Sequence, residues 1–389
     1  MIQKFYYNYK DVLKAPRIAI GPQRIYIATL GVGAAHVVYF LFSYLALVMT
    51  GFEIENIWSQ YGLFPIIFKF SLTQSATFVG WMGIIVTAFI VLLTSTSVSR
   101  AVYMYLRDNY FYTSKQAIFF AFKKSKSIIS IYLTFLFLIL PFIFGAAIMA
   151  ILGRLSWIGE ILNAFATLPY IFAGMVLVFI TICFILSFFL GPAIIASSEE
   201  DGFGAAVQSM HLTWGQPWRL ASYGLLTLAL LIVGIVTFMF VLKIGLIIYS
   251  ILFMPLMHSL APILNNALYY VEVSIGGLDM IIRDLIGSGG AKVLYLKQHY
   301  VPVELTTSKS IASSIVYFFL MVAGYMTIGY GQAIVNSALT MSYVIFEMKL
   351  TGKSLLKRQD SELAEDKEAF EFNTEANTKN LADSESGDK

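Results

Sequence analysis

From Ile161 to Leu190 the chain runs for 30 residues without a charged side chain. A helix rises 1.5 Å per residue, so about 20 apolar residues cross the hydrocarbon of a bilayer, with every backbone polar group satisfied inside the helix. A run of that length has few alternative folds. Four further runs are comparable: Ile25–Thr50, Val79–Ser99, Ile128–Leu152 and one beginning at Leu220. A sixth apolar region covers Ile311–Phe346. The composition agrees: 58% of residues are hydrophobic, 13% are charged and the mean hydropathy is +0.75. A soluble domain carries about 25% charged residues. The expected class is an all-α, polytopic helical membrane protein with about six transmembrane helices. The first run exceeds the roughly 7–15 residues of a signal core and no small-residue cleavage pattern follows it, so it reads as a retained span.

Charge divides the chain. Residues 1–358 carry 23 basic and 13 acidic side chains, and residues 359–389 carry 3 and 10. Such a tail lacks the apolar surface needed to offset ordering, so it reads as an acidic, disordered segment. The organisation is then an amphipathic N-terminal segment at 1–24, a helical membrane domain at 25–358 with an outer segment at 265–310, and the tail at 359–389.

Basic residues are retained on the cytoplasmic side of short loops. Lys4, Lys10, Lys14, Arg17 and Arg24 place the N-terminus inside. Arg100, Arg107, Lys115, Lys123, Lys124 and Lys126 place the loop between the second and third spans there too. Leu220–Leu264 is too long for one span and is interrupted by Lys243, Pro255, His258 and Pro262. Counting basic residues does not decide between six and seven crossings.

A weak internal repeat favours six. The stretch after Ser197 opens with Glu199, Glu200 and Asp201, then places Phe203, Ala206, Val207, Met210 and Trp214 at helical spacing. This reads as a helix capped by Ser198, lying on the membrane surface, with acids near its positive end and with Trp214, Trp218 and Arg219 at headgroup level. Two other segments look alike. One has Ile2, Phe5, Tyr6, Tyr9, Val12 and Leu13 opposite Gln3, Lys4, Asn8, Lys10, Asp11 and Lys14, and is broken by Pro16. The other has Ile118, Ala121 and Phe122 on one face, with Lys115, Lys123, Lys124 and Lys126 in water. "PQRI" from Pro22 and "PWRL" from Pro217 mark two of the membrane entries. The alternative reading is simple interfacial anchoring.

Pro192, Glu200, "DGFGAAVQS" with Ala206 and Ser209, then Gly215 and Trp218 form a spaced pattern over about 30 residues. It resembles an inner-loop signature of uncharacterised bacterial multi-pass proteins, which are similar to the membrane domain ahead of some glycerophosphodiester phosphodiesterases. Such proteins often carry a basic residue shortly after the serine, where this chain has "MHLTW". The resemblance implies a bacterial inner-membrane protein of helical-hairpin architecture. It does not imply phosphodiesterase activity, because no segment here corresponds to the catalytic domain.

Motifs that carry chemistry are sparse. Cys183 is the single cysteine, so an internal disulfide and a clustered-thiol zinc site are excluded. His36, His211, His258 and His299 lack metal-ligand spacing. His36, inside the first span, is either a path-lining group or a neutral ring bonded to a neighbouring helix. Gln332 and Asn336 share a face of the sixth region after Gly324, Gly329 and Gly331, and serve either helix packing or a polar path. "GSGGAK", from Gly287 to Lys292, lacks phosphate-loop spacing and reads as a turn. Leu278, Ile281, Ile282, Leu285 and Ile286 suggest a short interfacial helix, and "KVLYLKQHYVPVEL" is extended in character. No nucleophile elbow and no aromatic–basic surface for nucleic acid is present; the basic residues lie where anionic headgroups would be. No catalytic, cofactor-binding or metal-ligating residue is assigned and no cofactor is expected. The expectation is a non-enzymatic scaffold or accessory subunit of the cytoplasmic membrane, whose partners are anionic lipid and another membrane protein. The rivals are a transporter or channel component for a lipid or small amphiphile, and an interfacial lipid enzyme using Glu199, Glu200 or Asp201.

Overall fold

A computed structural model describes residues 5–155, 157–281, 283–284 and 300–358. The glycine-rich turn at 287–292, His299 and the tail at 359–389 lie outside the described residues. Six helices are long and apolar enough to cross a membrane: Pro22–Met49, Gln74–Leu106, Ser125–Leu152, Thr167–Ser198, Pro217–Phe253 and Thr307–Thr351. They are called here the first to sixth spans. Among the described residues there is no strand.

Local chemistry sets their ends. Pro22 and Pro217 stand in first turns, where a missing N–H costs nothing. The Thr73 hydroxyl caps the second span by accepting from the Ala76 N–H at 3.4 Å. The sixth span closes on Gly352, at φ +72, a left-handed conformation that glycine adopts without strain.

The span count follows from which ends meet. The Tyr7 hydroxyl lies 2.5 Å from that of Ser354, Tyr103 donates to the Leu355 carbonyl at 2.8 Å, and Gln23 donates to the Tyr112 carbonyl at 2.7 Å. The chain after the sixth span therefore returns to the end where residue 7 lies, which requires an even number of crossings. Residues 217–253 form one continuous helix and Leu260–Ser274 a second helix at the opposite end. The end that gathers residues 5–24, 107–127, 199–216 and 352–358 is called the basic end.

Packing is concentrated toward that end. Every residue from Leu92 to Met104 and from Leu190 to Ser198 is buried, as is most of Gly329–Phe346. The third span buries only Ile128, Ile131 and Phe135, all near its start. Close approach relies on glycine. A Cβ at Gly31 would overlap the Thr94 side chain, and one at Gly329 would lie 2.7 Å from Thr29 Oγ1. Small residues of this kind let spans pack backbone to backbone. At the far end, Ile54–Tyr61 and Leu260–Ser274 pack side by side. The Leu63 N–H donates to the Ser274 carbonyl at 2.8 Å.

The three segments of the basic end expected to form surface helices depart from that expectation. At the opposite end, residues 276–281 are helical, as the apolar spacing suggested, while Ile282, Leu285 and Ile286 lie outside the described residues. The N-terminal segment is two short helices, Tyr9–Val12 and Ala15–Ala19, and Pro16 stands in the first turn of the second rather than ending the first. Asp11, assigned to the wet face, is fully buried. Its carboxylate accepts from the Tyr6 N–H at 2.8 Å and from Lys14 at 3.0 Å, closing a capping box with Asn8. In Ser114–Lys123 the buried face is Ala117, Phe120 and Ala121, and Phe122 is exposed. In Gly202–Gly215 the buried residues are Gly202, Ala205, Ala206, Ser209, Leu212 and Thr213, while Phe203, Val207 and Trp214 point outward. The large apolar stripe that suggested a surface helix is thus the outer face, and the small residues make the contact. This helix runs back antiparallel along the fourth span: Ser209 Oγ lies 2.6 Å from Ser187 Oγ, and Trp214 meets Phe179 edge-on at 5.5 Å.

Candidate functional site

Where the fourth span ends, four of the chain's charged groups converge. The last carbonyls of a helix have no intrahelical partner and carry the negative end of its dipole. Arg100 of the second span donates to the Ala196 carbonyl at 2.9 Å. Arg358, beyond the sixth span, donates to the Ser198 carbonyl at 2.8 Å. Lys124, at the start of the third span, donates to the Glu199 carbonyl at 2.6 Å. Three cations from three distant stretches thus cap one helix end. Glu199 turns the chain with φ +55 and aims its carboxylate back, 2.9 Å from the second guanidinium nitrogen of Arg100.

Arg100 is the centre of this arrangement. Its side chain is 0% exposed, and its guanidinium lies 4.1 Å from the Phe120 ring centroid. A buried guanidinium is tolerated only when paired and hydrogen-bonded. The carboxylate, the carbonyl and the aromatic face meet that requirement together, in a fork geometry that lysine does not reproduce.

The three acids have separate roles. Glu199 pairs with Arg100. Asp201, not Ser198, is the N-cap: its Oδ1 accepts from the Gly204 N–H at 2.7 Å. Ser198 belongs to the fourth span, and its hydroxyl donates to the Ile194 carbonyl at 2.7 Å. Glu200 lies on the short connection between the two helices. On the other flank of Gly202–Gly215, Gln208 donates to Glu347 of the sixth span, and Gln216 donates to the Phe346 carbonyl at 3.3 Å.

The remaining sequence candidates lie elsewhere. His36 bonds the hydroxyl of Tyr325 through Nδ1 and the Leu63 carbonyl through Nε2 at 2.8 Å, stacked on Phe64 with centroids 4.2 Å apart. A carbonyl only accepts, so Nε2 carries the proton, and a neutral ring accepts from Tyr325 at Nδ1. Tyr39 and Tyr44 bond the Pro65 and Gly62 carbonyls of the same loop at 2.6 and 2.7 Å. His36 therefore belongs to a clasp that draws residues 62–65 against the first and sixth spans. Gln332 donates to Ser95 Oγ at 3.2 Å and to the Val91 carbonyl at 3.4 Å, joining the sixth span to the second. Asn336 is buried one turn further along. Among the described residues no three of His, Cys, Asp and Glu form a metal-binding group.

The charge pattern places Arg100 in a series of loop cations, whereas the fold buries it completely. A signal was present: Ala101–Leu106 after it is uncharged and largely apolar, so the arginine falls within an apolar stretch rather than at its edge. Lys124 and Arg358 gave no such sign.

Fold and site together define an all-α polytopic protein whose six membrane-length helices are tied at one end by a cation-capped helix terminus. Compared with known proteins, the chain matches no family model, no curated protein and no solved structure.

Proposed function

We propose that the chain is a non-enzymatic integral membrane protein, a scaffold or accessory subunit of a bacterial cytoplasmic membrane, with its N-terminus in the cytoplasm. One observation carries the reading: the groups with the chemistry to bind or react are engaged in joining helices. Arg100, Lys124 and Arg358 hold the end of the fourth span, Glu199 neutralises Arg100, Asp201 caps a helix, and His36 fastens a loop. That allocation supports a rigid platform over an interfacial enzyme built on the three acids. The basic end gathers Lys10, Arg17, Lys115, Lys123 and Lys126, and positive residues favour the cytoplasmic side, beside anionic headgroups. The partner is then a second membrane protein packed against the exposed apolar faces of the third to fifth spans. Purification in mild detergent after in-membrane crosslinking tests this: a stoichiometric membrane protein partner is expected, and recovery of the chain alone under crosslinking removes the reading.

A second reading, a transporter or channel component for a lipid or small amphiphile, has its own observation: the polar face of the sixth span that carries Gln332 and Asn336. Substrate-dependent flux in liposomes that Asn336→Leu abolishes establishes it and overturns the scaffold.

A further inference from the structure

Tyr325, Gly329, Gln332, Asn336, Thr340 and Tyr343 follow one another at spacings of four, three, four, four and three. At 100° per residue they fall within an arc of about 80°, over about 27 Å of the sixth span. Hydroxyls from two other helices face this stripe. Thr29 of the first span lies against Gly329, and Ser95 of the second bonds Gln332. Ser99 is one turn beyond Ser95, as Asn336 is one turn beyond Gln332. The polar groups of three helices therefore form a seam from the His36–Tyr325 bond down toward Arg100.

Several seam atoms are shielded from solvent and have no hydrogen-bond partner: Thr29 Oγ1, Ser99 Oγ, Gln332 Oε1 and Asn336 Nδ2. Ser99 and Asn336 are 0% and 3% exposed. A buried polar group left unmatched is costly, and four of them on one seam call for a ligand rather than for tolerance. Its chemistry follows from the set. The atoms include a nitrogen that only donates, a carbonyl oxygen that only accepts, and hydroxyls that do both. A bare cation has no use for the donor. An anion lacks a free counter-charge, because the Arg100 guanidinium already faces Glu199. A small neutral molecule that donates and accepts meets both needs.

We propose that the seam between the first, second and sixth spans is a water-binding site, in which ordered water molecules link Thr29, Gln332, Ser99 and Asn336. Buried waters typically make about three hydrogen bonds to groups of this kind and are costly to remove. The site is independent of either functional reading: a scaffold would use it to set the spacing of three helices, a transporter as a polar lining.

One experiment tests it with water itself as the probe: S–H to S–D exchange followed by infrared spectroscopy in D2O, in a Cys183→Ser background that leaves one introduced thiol. Ser99→Cys is expected to exchange at least tenfold faster than Ala338→Cys, a buried position on the apolar side of the sixth span. Equally slow exchange in both variants means a dry seam and overturns it.

Discussion

Replacing Glu199 with Gln removes one formal charge and keeps the shape of the side chain. What remains is a guanidinium that is 0% exposed, bonded to a neutral carbonyl and resting on Phe120. Stranding a buried charge costs about 3–5 kcal/mol. Glutamine still presents a carbonyl oxygen at the same reach, and Glu199 is 15% exposed, so the lower end applies. About 3 kcal/mol is a factor on the order of 100 in the folding equilibrium, a large share of the 5–15 kcal/mol typical of a folded domain. Arg100→Met removes the charge and leaves a carboxylate that water reaches in part. In the double variant Arg100→Met/Glu199→Gln neither charge remains, and the loss is expected to fall about 2 kcal/mol short of the sum of the two single losses. Reversible unfolding in mixed micelles, followed by tryptophan fluorescence, supplies all four corners of the cycle. If Glu199→Gln lies within about 0.5 kcal/mol of wild type, or if the singles add, Arg100 is solvated and the basic end is not organised around it.

Arg100→Lys is expected to destabilise in the same assay, because one ammonium does not span the carbonyl, the carboxylate and the ring together; wild-type stability would contradict the fork geometry. Asp201→Ala removes the cap of Gly202–Gly215 and is expected to cost about 1 kcal/mol, with Asp201→Asn recovering most of it. Tyr325→Phe opens the clasp on residues 62–65 and is expected to raise protease cleavage in that loop several-fold without changing the unfolding free energy read by fluorescence by more than about 1 kcal/mol. Lys69, on the same connection, is held above the usual lysine value of 10.5 by its hydrogen bond to Asp284. A raised lysine contributes fully at lower pH and is lost as pH rises through the raised value. Cleavage near residue 69 is therefore expected to increase only in strongly alkaline buffer, and Lys69→Met to remove that rise.

Hydropathy made the six spans legible, because the length of an apolar run answers directly to bilayer thickness. The sixth crossing was harder to count, because four basic residues precede the last apolar region (Arg283, Lys292, Lys297, Lys309) and four close it (Lys349, Lys353, Lys357, Arg358); the contact of Tyr7 with Ser354 fixes it. The short helices were legible as helices but not in orientation. Periodicity locates an apolar stripe, and in water that stripe faces the core. In this chain the rule inverts: Phe203 and Trp214 face outward, while Ala205, Ala206 and Ser209 face protein. The cation cluster was not legible, since its members are 24 and 234 residues apart along the chain and only tertiary contact brings them to one helix end.

The capping of the fourth span also fixes an order of events during synthesis. Arg100 and Lys124 emerge from the ribosome before Ser198 does, and both are at hand when that helix first forms. Arg358 follows it by 160 residues, after two further helices have entered the bilayer. The Ser198 carbonyl must wait for it, so the nascent chain carries an unfinished joint until the sixth span has been made, and a product truncated before Arg358 is never closed.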